Sequence, residues 1–212
     1  MIVAIETATD VVGVALAKPD GELLAHLEVR GSRRHAETLV PAIEFLCRQV
    51  QRPLADVKCV AVDVGPGLFT GLRVGLATAK GLAYAHGVPI IAVGSLEALA
   101  SAHARPGERV AAVIDARRGE LYAAVYEDGR AVVEPWVGAP EAVAAQCVSA
   151  AFVVGDGPYR HPAPFAGQRT ILSRPSVVTV AALAAGRVGI DAGMAAVTYL
   201  RAPDAEINWV TR

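Results

Sequence analysis

The sequence has little of what a secreted or membrane-embedded protein needs. Its three cysteines, Cys47, Cys59 and Cys147, form no C-x-x-C pair, which indicates small core residues in a reducing compartment. The apolar region 74–100 is broken by a lysine, a histidine, a proline and several glycines, a pattern that argues against a membrane span. The N-terminus has no basic start, so we expect no signal peptide. These features together predict a cytoplasmic protein with no membrane contact.

A surplus of positive charge is missing as well. The 20 basic residues stand against 21 acidic ones, and the net charge is −1. Proteins that bind nucleic acid alone usually carry a basic surplus, because neutralising phosphates supplies most of the affinity. We therefore expect this chain to meet RNA only indirectly, through a partner. Apolar residues are abundant instead, at 53%, which favours one packed domain or two small ones.

Motifs of known catalytic sites are absent too. There is no G-x-S-x-G sequence that would present a nucleophile. A helical zinc or iron site usually offers two ligands four residues apart, but Leu39 stands four residues after His35. Asp115, Arg117 and Arg118 could be catalytic, although a turn braced by local ion pairs is the commoner arrangement. The sequence therefore predicts neither a catalytic residue nor a metal site.

Apolar runs and turn residues predict the order β-β-β-α-β-α-β-α for the first half of the chain. The first strand, IVAIE, ends in an acid, and a second strand follows the polar turn TATD. Helices are expected over 33–51 and about 70–86, with a third helix after the strand GVPIIAVG. Ser32, Thr70 and Ser95 are the candidate N-caps of these helices.

The second half of the chain begins like the first. VAIETATDVVGVALAKPDG and AVIDARRGELYAAVYEDG each contain a strand that ends in an acid, a polar turn, a second strand and an acidic-Gly turn. The two acids are Glu6 and Asp115. This self-similarity predicts a duplicated α/β fold, with an N-terminal lobe over 1–104 and a reduced C-terminal lobe over 105–212.

The stretch GPGLFTGLRVG (65–75) has the form of a phosphate-binding loop that leads into a helix. Its glycines allow unusual backbone angles, and free N–H groups at a helix start attract anions. The spacing is G-x-G-x-x-x-G without G-K-[ST], so a tight strand-to-helix turn remains the alternative. The turn after the first strand is a second candidate phosphate contact, with a solvated hairpin turn as its alternative. The candidate nucleotide-binding residues of both turns are Glu6, Thr7, Thr9, Gly65, Gly67 and Thr70.

Small residues recur every four positions in the second helix, at Gly71, Gly75 and Ala79. Such a strip lets another helix approach closely, and each glycine costs a helix interior about 1 kcal/mol relative to alanine. The strip could pack inside the chain, or it could form a subunit interface together with the amphipathic helix over 33–51. The candidate interface residues are Leu39, Ile43, Gly71, Leu72, Gly75, Leu76 and Ala79.

Five stretches together resemble the TsaB (YeaZ) family of tRNA threonylcarbamoyladenosine biosynthesis proteins. They are IETAT (5–9), RRHAETLVPAI (33–43), GPGLFTGLRVGLATAKGLA (65–83), IDARRGELY (114–122) and TYLR (198–201), in the family's order. The resemblance spans nearly the whole chain. It implies an actin-like ATPase (ASKHA) fold of class α/β, with two ribonuclease-H-like lobes of which the second is reduced.

The resemblance also implies a role. Members of this family are non-catalytic partners of TsaD, the enzyme that transfers a threonylcarbamoyl group to the adenosine beside the tRNA anticodon. The small ATPase TsaE completes the assembly. The resemblance therefore implies a heterodimer with TsaD, a homodimer in isolation, and no required cofactor, with weak ATP or ADP binding left open.

TsaD carries a His-x-x-x-His metal pair where this chain has His35 and Leu39, so the resemblance also implies no metal site. Two alternatives from other functional classes stay open. The first is a stand-alone ATPase or metallopeptidase-like enzyme of the same fold, which would hold a metal or turn over ATP by itself. The second is an RNA-binding adaptor, which would bind tRNA in a salt-sensitive manner without partners.

Overall fold

The computed structural model describes residues 1–31 and 35–201. Within these ranges the chain forms two mixed five-stranded sheets covered by helices. The strands are β1 Ile2–Glu6, β2 Val11–Ala17, β3 Leu23–Arg30, β4 Cys59–Asp63, β5 Ile90–Val93, β6 Arg109–Arg117, β7 Glu120–Glu127, β8 Arg130–Gly138, β9 Phe152–Val154 and β10 Thr170–Ile171. The helices are α1 His35–Gln49, α2 Phe69–His86, α3 Ser95–Ser101, α4 Pro140–Gln146, α5 Gly157–Arg160 and α6 Val177–Ala184. The predicted order of elements in the first half is confirmed.

The first sheet has the strand order β3-β2-β1-β4-β5. Strand β1 pairs antiparallel with β2 and parallel with β4, where Ile5 stands opposite Val62. Every residue of β1 and β2 is buried, because helices cover both faces. Val3 and Ile5 pack towards α1 and α2, whereas Ile2 and Ala4 pack towards α3 and α6. This alternation follows from the two-residue period of a strand, and burying each Val or Ile contributes about 1.5–3 kcal/mol.

The second sheet repeats this topology with the order β10-β9-β6-β7-β8. Its central strand β6 pairs antiparallel with β7 and parallel with β9, as β1 pairs with β2 and β4. Helix α4 covers one face with Val143, and α3 covers the other with Leu96 and Leu99. The duplicated α/β fold predicted from the repeated sequence pattern is therefore confirmed.

After the second sheet the chain returns to the first. Helix α6 packs on the face of the first sheet opposite α1 and α2, where α3 is only 7 residues long and leaves apolar surface uncovered. Ile190 then forms a β-bridge with Ile90 at the outer edge of β5. Helix α6 and Ile190, which belong to the predicted C-terminal lobe over 105–212, thus pack with the N-terminal lobe. The division of the chain at residue 104 stays a prediction.

Two of the predicted helix caps are wrong, and the third lies outside the described residues. Helix α2 begins at Phe69 after Leu68, and Thr70 is exposed without a capping hydrogen bond. Helix α3 begins after Gly94, and the Ser95 hydroxyl donates instead to Asp63 Oδ1 at 2.6 Å. Ser32 falls in the range that is not described.

In the described ranges, no helix combines the length and the apolar character that crossing a bilayer requires.

Candidate functional site

The turn between β1 and β2 is built into the core. Glu6 and Thr7 are both fully buried. Glu6 Oε1 accepts a hydrogen bond of 2.7 Å from the backbone N–H of Ala8, which closes the turn locally. The Thr7 hydroxyl donates to the carbonyl oxygen of Gly71 at 2.9 Å. These two predicted nucleotide contacts therefore serve internal packing.

The strip of small residues on α2 exists because this turn lies against it. A Cβ atom at Gly71 would overlap the carbonyl oxygen of Thr7, and one at Gly75 would overlap the Thr7 hydroxyl. Only glycine lets the helix approach the turn this closely. The strip packs inside the chain, which was one of the two interpretations open from the sequence.

The loop that precedes α2 has already used part of its hydrogen-bonding capacity. The N–H of Gly65 donates to Asp63 Oδ1 at 2.8 Å, and the N–H of Leu68 donates to the carbonyl oxygen of Ala8 at 2.7 Å. A Cβ atom at Gly67 would overlap that same oxygen of Ala8. Because these amides are bonded within the chain, the loop has the geometry of a tight strand-to-helix turn.

Two buried acids lie side by side where β1 and β4 end. The parallel register places Glu6 next to Asp63, and both are fully buried. Burial raises the pKa of Asp63 to about 6, although hydrogen bonds from Ser95 and Gly65 act in the opposite direction. Burial and then the charge of Asp63 raise the pKa of Glu6 well above its ordinary value. Asp63 Oδ2 is buried without a hydrogen-bond partner among the described residues. A proton shared by the two acids removes the repulsion between their charges and supplies the hydrogen bond that Asp63 Oδ2 lacks.

His35, the residue weighed as a metal ligand, is a structural contact. It is buried at the start of α1, and its Nε2 lies 3.0 Å from the carbonyl oxygen of Thr9. It thereby holds α1 against the β1–β2 turn. Over residues 1–31 and 35–201, no three His, Cys, Asp or Glu side chains are placed to hold a metal ion.

A cleft of about 1010 Å³ separates the two lobes. Of the predicted nucleotide-binding residues, Thr9 and Gly67 line it, while Glu6, Thr7, Gly65 and Thr70 do not. The first three of these four are buried behind the wall, and Thr70 is exposed beside it. Sequence position alone does not distinguish the residues that line the cleft from those that do not, because all six belong to two neighbouring segments that contact each other.

Among the described residues, both arginines and aspartates line the cleft, and most of the lining arginines form ion pairs with carboxylates. Arg160 is a further arginine in the lining of the cleft. The Asp115–Arg117 turn is braced by a local ion pair, as the sequence indicated. The ion pairs of the lining arginines are Arg30–Asp10 at 3.5 Å, Arg117–Asp115 at 3.6 Å, Arg174–Glu28 at 2.7 Å and Arg201–Glu120 at 2.9 Å.

The predicted interface residues lie on the buried faces of α1 and α2. All seven are buried inside the chain. Leu39, Ile43, Leu76 and Ala79 belong to the core between these helices and the first sheet, and Gly71 and Gly75 lie against the β1–β2 turn. The residues concerned are Leu39, Ile43, Gly71, Leu72, Gly75, Leu76 and Ala79.

The outer faces of the same two helices expose other apolar side chains, which the sequence reasoning missed. Val40 is 50% exposed and Phe45 43% exposed on α1, and Tyr84 is 65% exposed on α2. Between the ends of α2, Ala77 and Gly81 are exposed small residues. The signal was present in the sequence, since apolar residues also occur at helix positions outside the buried stripe. We call these five residues the outer helix face.

Comparison with known proteins places the chain among described relatives. A family model described as "TsaD: tRNA N6-adenosine threonylcarbamoyltransferase" matches residues 29–155. The tRNA threonylcarbamoyladenosine biosynthesis protein TsaB of Escherichia coli is 39% identical over 128 residues, or 59% of this chain and 54% of that protein. The chain thus spans about half the length of that curated relative.

Solved structures extend the similarity to the whole fold. The YeaZ structure from Pseudomonas aeruginosa has a TM-score of 0.82 and 32% identity, and the match covers 94% of this chain and 99% of that one. The ethanolamine utilization protein EutJ from Carboxydothermus hydrogenoformans shares the fold alone, with a TM-score of 0.51, 13% identity, and coverage of 86% of this chain and 88% of that one. The duplicated sheets thus form an actin-like fold, and the chain belongs to the TsaB (YeaZ) family.

Proposed function

We propose that this protein acts in tRNA threonylcarbamoyladenosine biosynthesis as a non-catalytic partner subunit of TsaD. The similarity to the E. coli protein named for that biosynthesis supports the pathway. The observation that carries the non-catalytic part is the internal use of the β1–β2 turn, where Thr7 bonds to Gly71 and Glu6 bonds to Ala8. Groups already bonded within the core are not available to bind and polarise a substrate.

The outer helix face is the proposed docking surface for TsaD. Single exposed apolar residues are ordinary, but here Val40, Phe45 and Tyr84 lie on two helices that pack side by side. Apolar side chains exposed on adjacent helices favour a protein–protein interface, and the small residues Ala77 and Gly81 share one face of α2 with Tyr84, where they allow a partner helix to come close. In the absence of TsaD the same face would join two copies of this chain.

The remaining parts of the proposal follow from this role. TsaE would join the larger complex, tRNA would be met only through TsaD, and the protein would work in the cytoplasm. No cofactor is required for docking. Weak ATP or ADP binding remains an optional property of the cleft, where Thr9 and Gly67 are the predicted contacts that line the wall.

Co-purification with TsaD tests the docking surface. Ala77→Arg places a long charged side chain on the outer helix face, and we expect retention by tagged TsaD to fall about tenfold or more, as for a charge buried in an interface. Ala145→Arg is the matched control, because Ala145 is an exposed alanine on α4 of the other lobe. Equal retention of both variants and the unmodified chain would place the interface elsewhere.

The competing enzyme function makes different predictions for the isolated chain. A stand-alone ATPase releases phosphate without TsaD, and a metallopeptidase-like enzyme holds a metal ion in stoichiometric amount. We expect phosphate release at the rate of a blank and no metal above trace level by elemental analysis. Phosphate release by the purified chain, or a stoichiometric metal ion whose removal abolishes an activity of the purified chain, would favour the enzyme.

A further inference from the structure

Residues Thr198–Arg201 span the gap between the lobes, and we call them the strap. At one end, the N–H of Thr198 donates to the carbonyl oxygen of Val64 at 2.8 Å, just beyond β4 of the first sheet. At the other end, Arg201 donates to Glu120 Oε2 at 2.9 Å, at the start of β7 in the second sheet. All four strap residues line the cleft. The strap therefore forms one wall of the cleft and is attached to both lobes.

The middle of the strap is held by the exposed start of α2. The ring of Tyr199 lies 5.7 Å from that of Phe69, and its hydroxyl accepts a hydrogen bond of 3.1 Å from Arg73 Nε. The guanidinium of Arg73 also stacks 3.7 Å above the Phe69 ring. Aromatic and cation–π contacts of this kind stabilise the packed arrangement of the three side chains. Tyr199 is thus bound to a part of α2 that remains accessible from outside.

The next residue, Leu200, attaches the strap to the second lobe. Leu200 packs at the edge of the apolar cluster that contains Val110 and Ala112 of β6. Adjacent strap residues therefore bind opposite sides of the cleft. A chain of four residues spans at most about 14 Å when extended, so the strap has little slack with which to absorb a movement of one lobe.

We propose that the strap couples the exposed start of α2 to the opening of the cleft between the lobes. A change at Phe69 or Arg73 alters the position of Tyr199, and through Leu200 and Arg201 it alters the hold on the β6–β7 turn. The coupling is reciprocal, since a shift of the β6–β7 turn acts on α2 by the same contacts. It is a property of the isolated chain. Only its use by a subunit that docks on α2 rests on the proposed function.

Amide hydrogen exchange of the isolated full-length chain tests the coupling. Glu120→Gln removes the ion pair with Arg201 at one end of β7. Glu127→Gln is the matched control, because it removes the ion pair with Arg109 at the other end of the same strand. We expect Glu120→Gln to raise exchange in residues 65–75 by about two- to fivefold, the range for loss of a partly exposed ion pair. The control should leave that segment unchanged.

The reverse direction uses Tyr199→Phe, which keeps the ring and removes the hydroxyl that Arg73 contacts. We expect it to raise exchange in the β6–β7 turn, residues 117–120, by a similar factor. If Glu120→Gln changes exchange only around its own position, or if the control variant acts equally on residues 65–75, the strap does not couple the two sites. Because no TsaD is present, such a failure is separate from a failure of the docking proposal.

Discussion

The Thr7 hydroxyl donates a hydrogen bond of 2.9 Å to the carbonyl oxygen of Gly71. This bond joins the β1–β2 turn to the first turn of α2, at the point where a nucleotide would be expected to contact both. The close approach requires glycine at positions 71 and 75, where a Cβ atom would overlap Thr7. In this chain the two predicted phosphate-binding turns are thus used to bind each other.

Two glycines of α2 give opposite predictions for the same substitution. Gly75→Ala adds a Cβ that overlaps the Thr7 hydroxyl, so we expect a loss of about 1–3 kcal/mol in the free energy of unfolding. Gly81→Ala adds a Cβ into open space, so we expect a gain of about 0.5–1 kcal/mol from helix propensity. Urea unfolding of both variants measures the difference. A gain for Gly75→Ala would show that the turn does not lie against α2.

The buried acids predict that the free energy of unfolding falls as the pH rises. The folded-state pKa of Asp63 is raised from 3.8 to about 6, and that of Glu6 is raised as well. A raised pKa means that the folded state binds protons more tightly than the unfolded state. The contribution of this proton binding to the free energy of unfolding is complete at low pH and is lost as the pH rises through the folded-state pKa. We expect a loss on the order of 1–2 kcal/mol between pH 5 and pH 8.

Replacing one acid by its amide tests the origin of this dependence. Glu6→Gln keeps an oxygen that accepts from Ala8 and removes the negative charge beside Asp63, so the decline between pH 5 and pH 8 should become smaller. Glu44→Gln removes an exposed carboxylate of α1 and should follow the unmodified chain. The explanation fails if urea unfolding shows the same pH dependence in all three proteins.

Nucleotide affinity should be low because loop amides are already bonded within the chain. Gly65 and Leu68 donate to Asp63 and Ala8, and most cleft arginines are paired with carboxylates. We expect a dissociation constant for magnesium ATP of about 1 mM or weaker, equivalent to roughly 4 kcal/mol or less of binding free energy. Calorimetric titration measures it directly. Saturation at micromolar ATP would mean that the cleft is a nucleotide site after all.

Much of the fold could be predicted because it depends on local patterns. The short continuous apolar runs IVAIE and VVGVALA predict buried strands, and the helical spacing of apolar residues predicts α1. The repeated hairpin pattern predicts the duplicated topology. The packing of α6 on the first sheet was missed for a physical reason. The sequence of an apolar helix indicates that the helix is buried. It does not indicate which of two sheets has an uncovered apolar face for the helix to pack on.

The candidate site was predicted less well, because its contacts join residues that are far apart in sequence. Ser95 looks like a helix cap but donates to Asp63, 32 positions earlier. Gly71 and Gly75 look like a subunit contact but pack against Thr7. Periodicity identifies the buried face of a helix without identifying what buries it, so it predicts an interface on the inner face and does not single out the exposed Val40 and Tyr84.

Under the proposed function, this chain supports tRNA modification by docking onto TsaD, without chemistry of its own. The most direct measurement is the rate of threonylcarbamoyladenosine formation on tRNA by TsaD and the other components, with the chain omitted, added, or added as Ala77→Arg or Ala145→Arg. We predict that the chain and Ala145→Arg raise the rate equally, whereas Ala77→Arg leaves it near the rate of the omitted control until its concentration is raised about tenfold or more. A rate independent of the chain, or one that Ala77→Arg restores in full at equal concentration, would contradict the account.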